Sequence, residues 1–417
     1  MDKRSKKTMS RRDFGKLSAA ASVAVLSASK TTQAATNSET LKVGLLGCGG
    51  RGSGAASNML EGNKNVQLVA LADVFEDKVN LCRKDFEEHG DDRVRTKVAI
   101  DNDHCFTGLD AYDKILETDV DIIIEGTLPY SRPKHIEAII NAKKHLFTEK
   151  PAAVDPVGIR QVIAASEKAK ELGLSIVAGT QRRHEKPYVE TMKKIHDGAI
   201  GEIVAARAYW CDELPFAYER KPEWDTDLEY AIRNWYGLAW VCGDNIVEQH
   251  VHNLDVINWA MNAHPVRVFA SGGRTWKPAD EKYGDIYDHF SCDYEYPSGA
   301  HLTSLCRHWK EDWKVFEEVV GTKGRSNCTD MGEGGINPYV QEHIDLVKSI
   351  RGTGPYLNEG VQVAHSTLTA IMGRMSAYTG KVVSWEGALN SDLSIVPETL
   401  DFARAYPLGP VPSPGAH

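Results

Sequence analysis

The 417-residue sequence lacks the features that mark metalloproteins, membrane proteins and nucleic-acid binders. Its eight cysteines, Cys48, Cys82, Cys105, Cys211, Cys242, Cys292, Cys306 and Cys328, contain no Cys-x-x-Cys pair and no knuckle spacing, which argues against a structural zinc. No apolar run approaches the roughly 20 residues that a membrane-crossing helix needs. Positive charge is in deficit: the formal net charge is −9, and an acidic surface repels phosphate backbones and anionic lipid. Neither nucleic acid nor a membrane is therefore an expected partner. Internal repeats are absent, and the chain is long enough for two domains, each with its own core.

The N-terminus is the exception in charge. Ser10-Arg11-Arg12-Asp13-Phe14-Gly15-Lys16 precedes the Ala- and Ser-rich stretch Leu17 to Ala28, the pattern of a twin-arginine signal, which exports proteins already folded. Small residues at Thr32-Gln33-Ala34 offer a cleavage site, and no cysteine stands there to take a lipid. Residues 1–34 hold eight basic residues against two acidic ones, so their removal takes the net charge from −9 to −15. The expected location is the periplasm. A protein that folds in the reducing cytoplasm cannot depend on disulfides, so mostly free, buried thiols are expected.

From Leu41 to Ala178 short β-rich runs alternate with longer helical stretches, the form of a parallel sheet built from βαβ units. Expected strands are Lys42 to Leu46, Val66 to Ala72, Val120 to Glu125, His145 to Thr148 and Ser175 to Ala178. Beyond Gly179 the runs Glu202 to Trp210, Val266 to Ser271, Ile286 to Tyr294, Ala300 to Cys306 and Lys314 to Val320 follow one another with few intervening helices. That pattern predicts a large, mostly antiparallel open sheet in an α+β domain over 179–417, with a helix near Gly360 to Thr379 and an extended tail. The fold class is thus α/β, a doubly wound parallel-sheet domain at 41–178 followed by an α+β domain at 179–417.

Gly47-Cys48-Gly49-Gly50-Arg51-Gly52 follows the first strand and opens a helical segment. In this G-x-G-x-x-G pattern Gly47 permits the tight turn, Gly49 lets backbone amides approach a pyrophosphate, and Gly52 lets helix and strand pack closely. Asp73, at the end of the second strand, stands where a carboxylate would bind an adenine ribose and repel a 2′-phosphate. NAD is therefore expected over NADP. Lys150, in Glu149-Lys150-Pro151, lies at the carboxyl end of a strand, where open α/β sheets place ligands. Downstream, Glu248-Gln249-His250-Val251-His252 with Asp255 predicts one helix over Val247 to Trp259, with Glu248, His252 and Asp255 on one face. His250 points elsewhere, so the two imidazoles do not share a metal and no metal site is expected. Arg233-Asn234-Trp235-Tyr236 sets polar groups beside aromatic faces.

The glycine loop, the Glu149-Lys150-Pro151 tripeptide and Glu248-x-x-x-His252-x-x-Asp255, in this order, resemble the Gfo/Idh/MocA family of sugar and cyclitol oxidoreductases. Gly179-Thr180-Gln181-Arg182-Arg183-His184 resembles that family's domain junction, whereas Glu248 stands where the family usually has Asp. The resemblance implies hydride transfer between a sugar or glycoside hydroxyl carbon and a nicotinamide. His252 would accept the hydroxyl proton, Lys150 would stabilise the alkoxide, and Glu248 would orient both. It further implies cofactor contacts from the loop residues Gly47, Gly49, Gly50, Arg51 and Gly52, and from Asp73, Thr127, His135, Glu149 and Lys150. Substrate contacts would come from Arg183, His184, Trp235, Tyr236 and Asp255, in a homodimer or homotetramer. Export away from any free NAD pool predicts that the cofactor is tightly bound. The alternatives are a redox-neutral NAD-dependent glycoside hydrolase acting by oxidation, elimination and re-reduction, and a sugar sensor without catalysis.

Overall fold

The computed structural model describes residues 39–415; the export signal read from residues 1–34 lies outside the described residues. Six strands, β1 (Leu41–Leu46), β2 (Val66–Asp73), β3 (Cys105–Thr107), β4 (Ile122–Glu125), β5 (His145–Thr148) and β6 (Ile176–Ala178), form a parallel sheet of order β3-β2-β1-β4-β5-β6. This doubly wound order reverses direction between β1 and β4, and the crevice outside the carboxyl ends of the strands at that reversal is where such sheets bind ligands. All four residues of β4, Ile122-Ile123-Ile124-Glu125, are buried, as expected for a central strand covered by helices on both faces. The helix Pro156–Leu172 shows how local sequence sets the ends: the Asp155 side chain accepts from Gly158 N at 2.8 Å, Pro156 takes the first turn, and Gly173 ends it at φ +71°.

The second sheet has seven strands: β7 (Ile203–Asp212), β8 (Arg267–Gly273), β9 (His289–Glu295), β10 (His301–His308), β11 (Lys314–Gly321), β12 (Arg325–Ser326) and β13 (Val383–Ser384). Their order is β12-β11-β7-β10-β9-β8-β13, antiparallel throughout except for the parallel pair β7 and β10. Helices pack on one face; the other displays Arg207, Phe269, Ser291, Asp293 and Thr303. The chain does not stay on one side of Gly179. Helix Pro338–Ile350 returns to pack on helix Gly50–Gly62, and helix Gly360–Thr379 lies between helix Pro156–Leu172 and β8. The two sheets are therefore joined by shared helices.

The helix that carries Glu248 and His252 departs from its expectation. The single helix over 247–259 is divided into Asn245–Glu248 and Val251–Met261. At the step the amide of His250 reaches back five residues to Asn245 O (3.3 Å), and its imidazole leaves the helix face to meet Ser304 Oγ at 2.7 Å.

Candidate active site

The glycine loop is shaped by contact. Gly47 has φ +98°, and a Cβ there would lie 2.6 Å from the Gly126 carbonyl carbon; a Cβ on Gly52 would lie 2.0 Å from Gly47 O. Gly49 and Gly50 instead face open space and line a cavity of about 1310 Å³ with Asp73, Thr127, Tyr130, His135 and Trp235. Gly49 caps the helix Gly50–Gly62, whose first amides have no intrahelical partner and so suit a pyrophosphate. Asp73 accepts from Cys48 N (2.7 Å) and Phe75 N (3.0 Å), so the end of β2 is tied to the loop, and burial raises its pKa. These features fit a dinucleotide: a side-chain-free cradle, a helix N-terminus and a carboxylate on the wall.

Arg51 does not turn into this cavity. Its guanidinium pairs with Glu149, lies 3.7 Å from Glu342 and sits 4.6 Å over the Tyr339 ring, which ties the loop to helix Pro338–Ile350. Gly179 is small for the same reason: a Cβ there would meet the Glu149 carboxylate at 2.6 Å. Glu149 thus braces the domain junction, one residue before Lys150.

At the end of β4 the sequence hides a second clamp. The fully buried Glu125 accepts from Thr127 N (3.2 Å) and Thr148 Oγ1 (3.1 Å) and faces Arg132 Nε at 3.2 Å and His135 Nδ1 at 3.5 Å. Burial alone would raise its pKa, but His135 and Arg132 more than offset that, and the carboxyl lies below its ordinary range. Thr127 and His135, both on the cavity wall, are held by this carboxylate. A Glu at the end of an apolar strand was the available signal.

Lys150, Glu248 and His252 come together beyond β5, although none of them lines the large cavity. Lys150 Nζ donates to Glu248 Oε1 at 2.9 Å and to Glu248 O at 2.6 Å. Glu248 ends its short helix because Gly243, at φ +87°, stops the preceding one and Asp244 caps the next through Asn245 N (2.6 Å). His252 stacks on Trp210 with ring centroids 5.8 Å apart. Burial, and then the charges of Lys150, Arg182 and Arg51, hold its pKa well below the ordinary histidine value, so at neutral pH the imidazole is a free base beside an ammonium. That juxtaposition can take a proton from a hydroxyl while stabilising the oxygen left behind.

The remaining expected substrate residues do not converge on this trio. Arg183 and Asp255 spend their capacity on each other, through Nε–Oδ2 at 2.8 Å and Nη2–Oδ1 at 3.0 Å, with Ser366 Oγ donating to the same carboxylate at 2.7 Å. His184 lies between Asp345 (2.9 Å) and Glu359 (3.2 Å) on a separate cavity of about 510 Å³. Trp235 lines the large cavity, but Tyr236 is buried behind it at 1% exposure. Arg182, overlooked in favour of its neighbour, is close enough to depress His252 and is held by Glu317 and the Trp210 face. All eight cysteines are free, seven of them buried, and among the described residues no three His, Cys, Asp or Glu side chains could hold a metal ion.

Residues beyond Gly179 close one end of the large cavity. Arg233 bridges to Asp77 through two bonds, 2.9 and 3.1 Å, with its guanidinium 4.0 Å over the Phe75 ring, next to Asp73. Phe402, from the tail, packs on Phe75 at 6.5 Å, and the tail residues Ser394 and Val396 to Leu400 complete the wall. Tyr406 N donates to Asp227 at 3.0 Å, which fastens the tail.

Residues 41–176 match the family model "Oxidoreductase family, NAD-binding Rossmann fold", and residues 188–326 match the "GFO/IDH/MocA C-terminal domain". The inositol 2-dehydrogenase of Salmonella typhimurium is 26% identical over 225 residues, 54% of this chain and 55% of that protein, so the match spans little more than half of its length. The myo-inositol 2-dehydrogenase of Thermotoga maritima is 23% identical, covering 68% of this chain and 74% of its own. Two solved structures share the fold: the aldose-aldose oxidoreductase of Caulobacter crescentus (TM-score 0.65, 18% identity, 83% of this chain and 100% of that one) and the scyllo-inositol dehydrogenase of Lactobacillus casei with bound NAD(H) and scyllo-inositol (TM-score 0.64, 17% identity, 83% and 99%). The comparisons give the glycoside-hydrolase alternative no support.

Proposed function

The chain belongs to the GFO/IDH/MocA oxidoreductase family, and from that premise we propose that it is an NAD-dependent oxidoreductase acting on a sugar, cyclitol or glycoside hydroxyl, with its NAD retained through successive turnovers. The observation that carries this reading is the pairing of a neutral His252 with a cationic Lys150 beyond β5, beside a cavity built for a dinucleotide. Bound NAD would accept a hydride from the hydroxyl carbon. His252 takes the hydroxyl proton, Lys150 steadies the developing alkoxide, and Glu248, which holds Nζ by two bonds, fixes where that charge stands. Gly47, Gly49, Gly50 and Gly52 shape the pyrophosphate cradle, Asp73 receives the adenine ribose and disfavours NADP, and Thr127 and His135 form the wall held by Glu125. Arg51 and Glu149 hold the loop and the junction from outside the cavity.

Retention is supported by the Arg233 clasp and the tail, which wall the cavity and close on Phe75, two residues beyond Asp73. It also agrees with the twin-arginine signal, since a periplasmic enzyme has no free NAD pool to draw on. The outer face of the second sheet, with Phe269 60% exposed and Tyr209 packed on Phe316, supports a homo-oligomer. The test is to purify the exported protein, measure the nucleotide released on denaturation, and add aldoses, inositols and glycosides to the intact protein. Bound NADH should form without added NAD and be discharged by a keto sugar. An empty protein that works only with added NAD would remove retention from the proposal, and release of free aglycone without an acceptor would favour hydrolysis.

A further inference from the structure

The turn that delivers Glu248 to Lys150 contains a strained residue that the chemistry above does not use. Asp244 lies at φ +74° and ψ 165°, a region that Cβ contacts disfavour and that is essentially glycine's. Gly243 before it stands at φ +87°, so two successive residues of positive φ turn the chain between helix Ala239–Cys242 and helix Asn245–Glu248. Capping a helix does not require such a backbone: Asp155 caps its own helix at φ −148°, in the extended region where caps ordinarily sit. An aspartate held where glycine would fit without strain needs compensation from its side chain.

That compensation comes from three separate parts of the chain. Asp244 is wholly buried, and its carboxyl oxygens accept from Asn245 N at 2.6 Å, from Tyr287 N, just ahead of β9, at 2.9 Å, and from Tyr378 Oη, in helix Gly360–Thr379, at 2.6 Å. The same helix sends Arg374 Nη1 to Gly243 O at 2.9 Å. In the other direction, Asp244 O accepts from Val247 N at 3.0 Å and from Glu248 N at 2.9 Å. Glu248 in turn holds Lys150 Nζ through both its carbonyl and its carboxylate. A line of direct hydrogen bonds thus runs from Tyr378 through Asp244 and Glu248 to Lys150. Glycine at 244 would keep the backbone and lose all three side-chain anchors.

We propose that Asp244 is a positioning residue: by pinning the turn to Tyr378 and to the chain ahead of β9, it fixes Glu248, and through Glu248 the ammonium of Lys150, at the place where the alkoxide develops. Its effect on rate rests on the oxidoreductase reading above. Its effect on where Lys150 stands does not.

The first readout is structural. Crystals of the wild-type protein should show the Lys150–Glu248 pair, and crystals of Asp244→Gly should show Nζ displaced from Glu248; a pair that stays in place in the variant would overturn the proposal. The second readout is kinetic, with myo-inositol as probe. Asp244→Gly should lower kcat about 10- to 100-fold, the scale of a misplaced catalytic group, with KM and bound nucleotide near wild type. Tyr378→Phe, which keeps the ring and removes one bond to Asp244, should lower kcat about 3- to 10-fold. Because Asp244 acts on the ammonium, the glycine substitution should lower kcat by less than about 2-fold in a Lys150→Met background. Equal losses in both backgrounds, or a change confined to thermal stability, would make Asp244 a structural brace and overturn the proposal. Should Asp244→Gly fail to fold, Tyr378→Phe takes its place in every comparison. Failure of every sugar to turn over would count against the oxidoreductase reading, and the crystals would still decide what places Lys150.

Discussion

His184 precedes β7 along the chain and His252 follows it, and the two occupy opposite electrostatic regions. His184, between Asp345 and Glu359, is disfavoured as a cation by burial, yet the two carboxylates overcome that and raise it to about 10. His252 meets burial with no carboxylate against its ring; Lys150, Arg182 and Arg51 push in the same direction as burial, and it stays neutral. One region uses imidazolium as a brace between the turn Gln181–His184 and the helices Pro338–Ile350 and Gly360–Thr379; the other keeps imidazole as a base. Residue type alone does not distinguish a structural histidine from a reactive one; the sign of the charges facing it does.

The largest effect expected from breaking this contrast is on turnover. Lys150→Met and His252→Ala should each lower hydride transfer by about 10²- to 10⁴-fold while leaving thermal stability and nucleotide content near wild type. His184→Gln should do the reverse. Because the folded pKa of His184 is raised, its stabilisation is complete below the ordinary value of 6.5 and is lost as pH rises through about 10. Unfolding of His184→Gln should therefore show a deficit of about 3 kcal/mol near neutrality that shrinks toward pH 10, with turnover by surviving folded protein little changed. A constant deficit across pH would mean that the imidazolium is not the brace. The smallest effect is at the clasp: Arg233→Ala should speed release of bound nucleotide about 3- to 10-fold, from a half-exposed ion pair and one cation–ring contact, without altering the chemical step.

The sequence makes this contrast only partly legible. The first sheet could be read because its strands are contiguous apolar blocks bounded by turn residues, and the glycine loop because Gly47 and Gly52 are required sterically. β3 was missed because three half-buried residues carry no periodic signal. The break after Glu248 was missed because helical spacing runs through it; what accompanies the break is the departure of His250 toward Ser304, a partner far along the chain. Arg183 and Asp255 were expected at the substrate from the family's domain junction and from a shared helix face, and only their mutual 2.8 Å contact shows that they neutralise one another. The clamp on Glu125 and the return of helix Pro338–Ile350 to the glycine loop are likewise non-local, and the domain boundary after residue 178 does not reveal them.

The central claim is that His252 works as a neutral base held down by burial and by the cations around it. Its most direct test is the pH dependence of the first-turnover rate, read as bound-NADH absorbance after mixing the NAD-loaded protein with a sugar that it oxidises. The acid limb should fall with a midpoint well below the ordinary histidine value of 6.5, and Arg182→Gln, which removes one of the cations, should move that midpoint upward. A wild-type midpoint at or above 6.5, or one that Arg182→Gln leaves in place, would contradict the account.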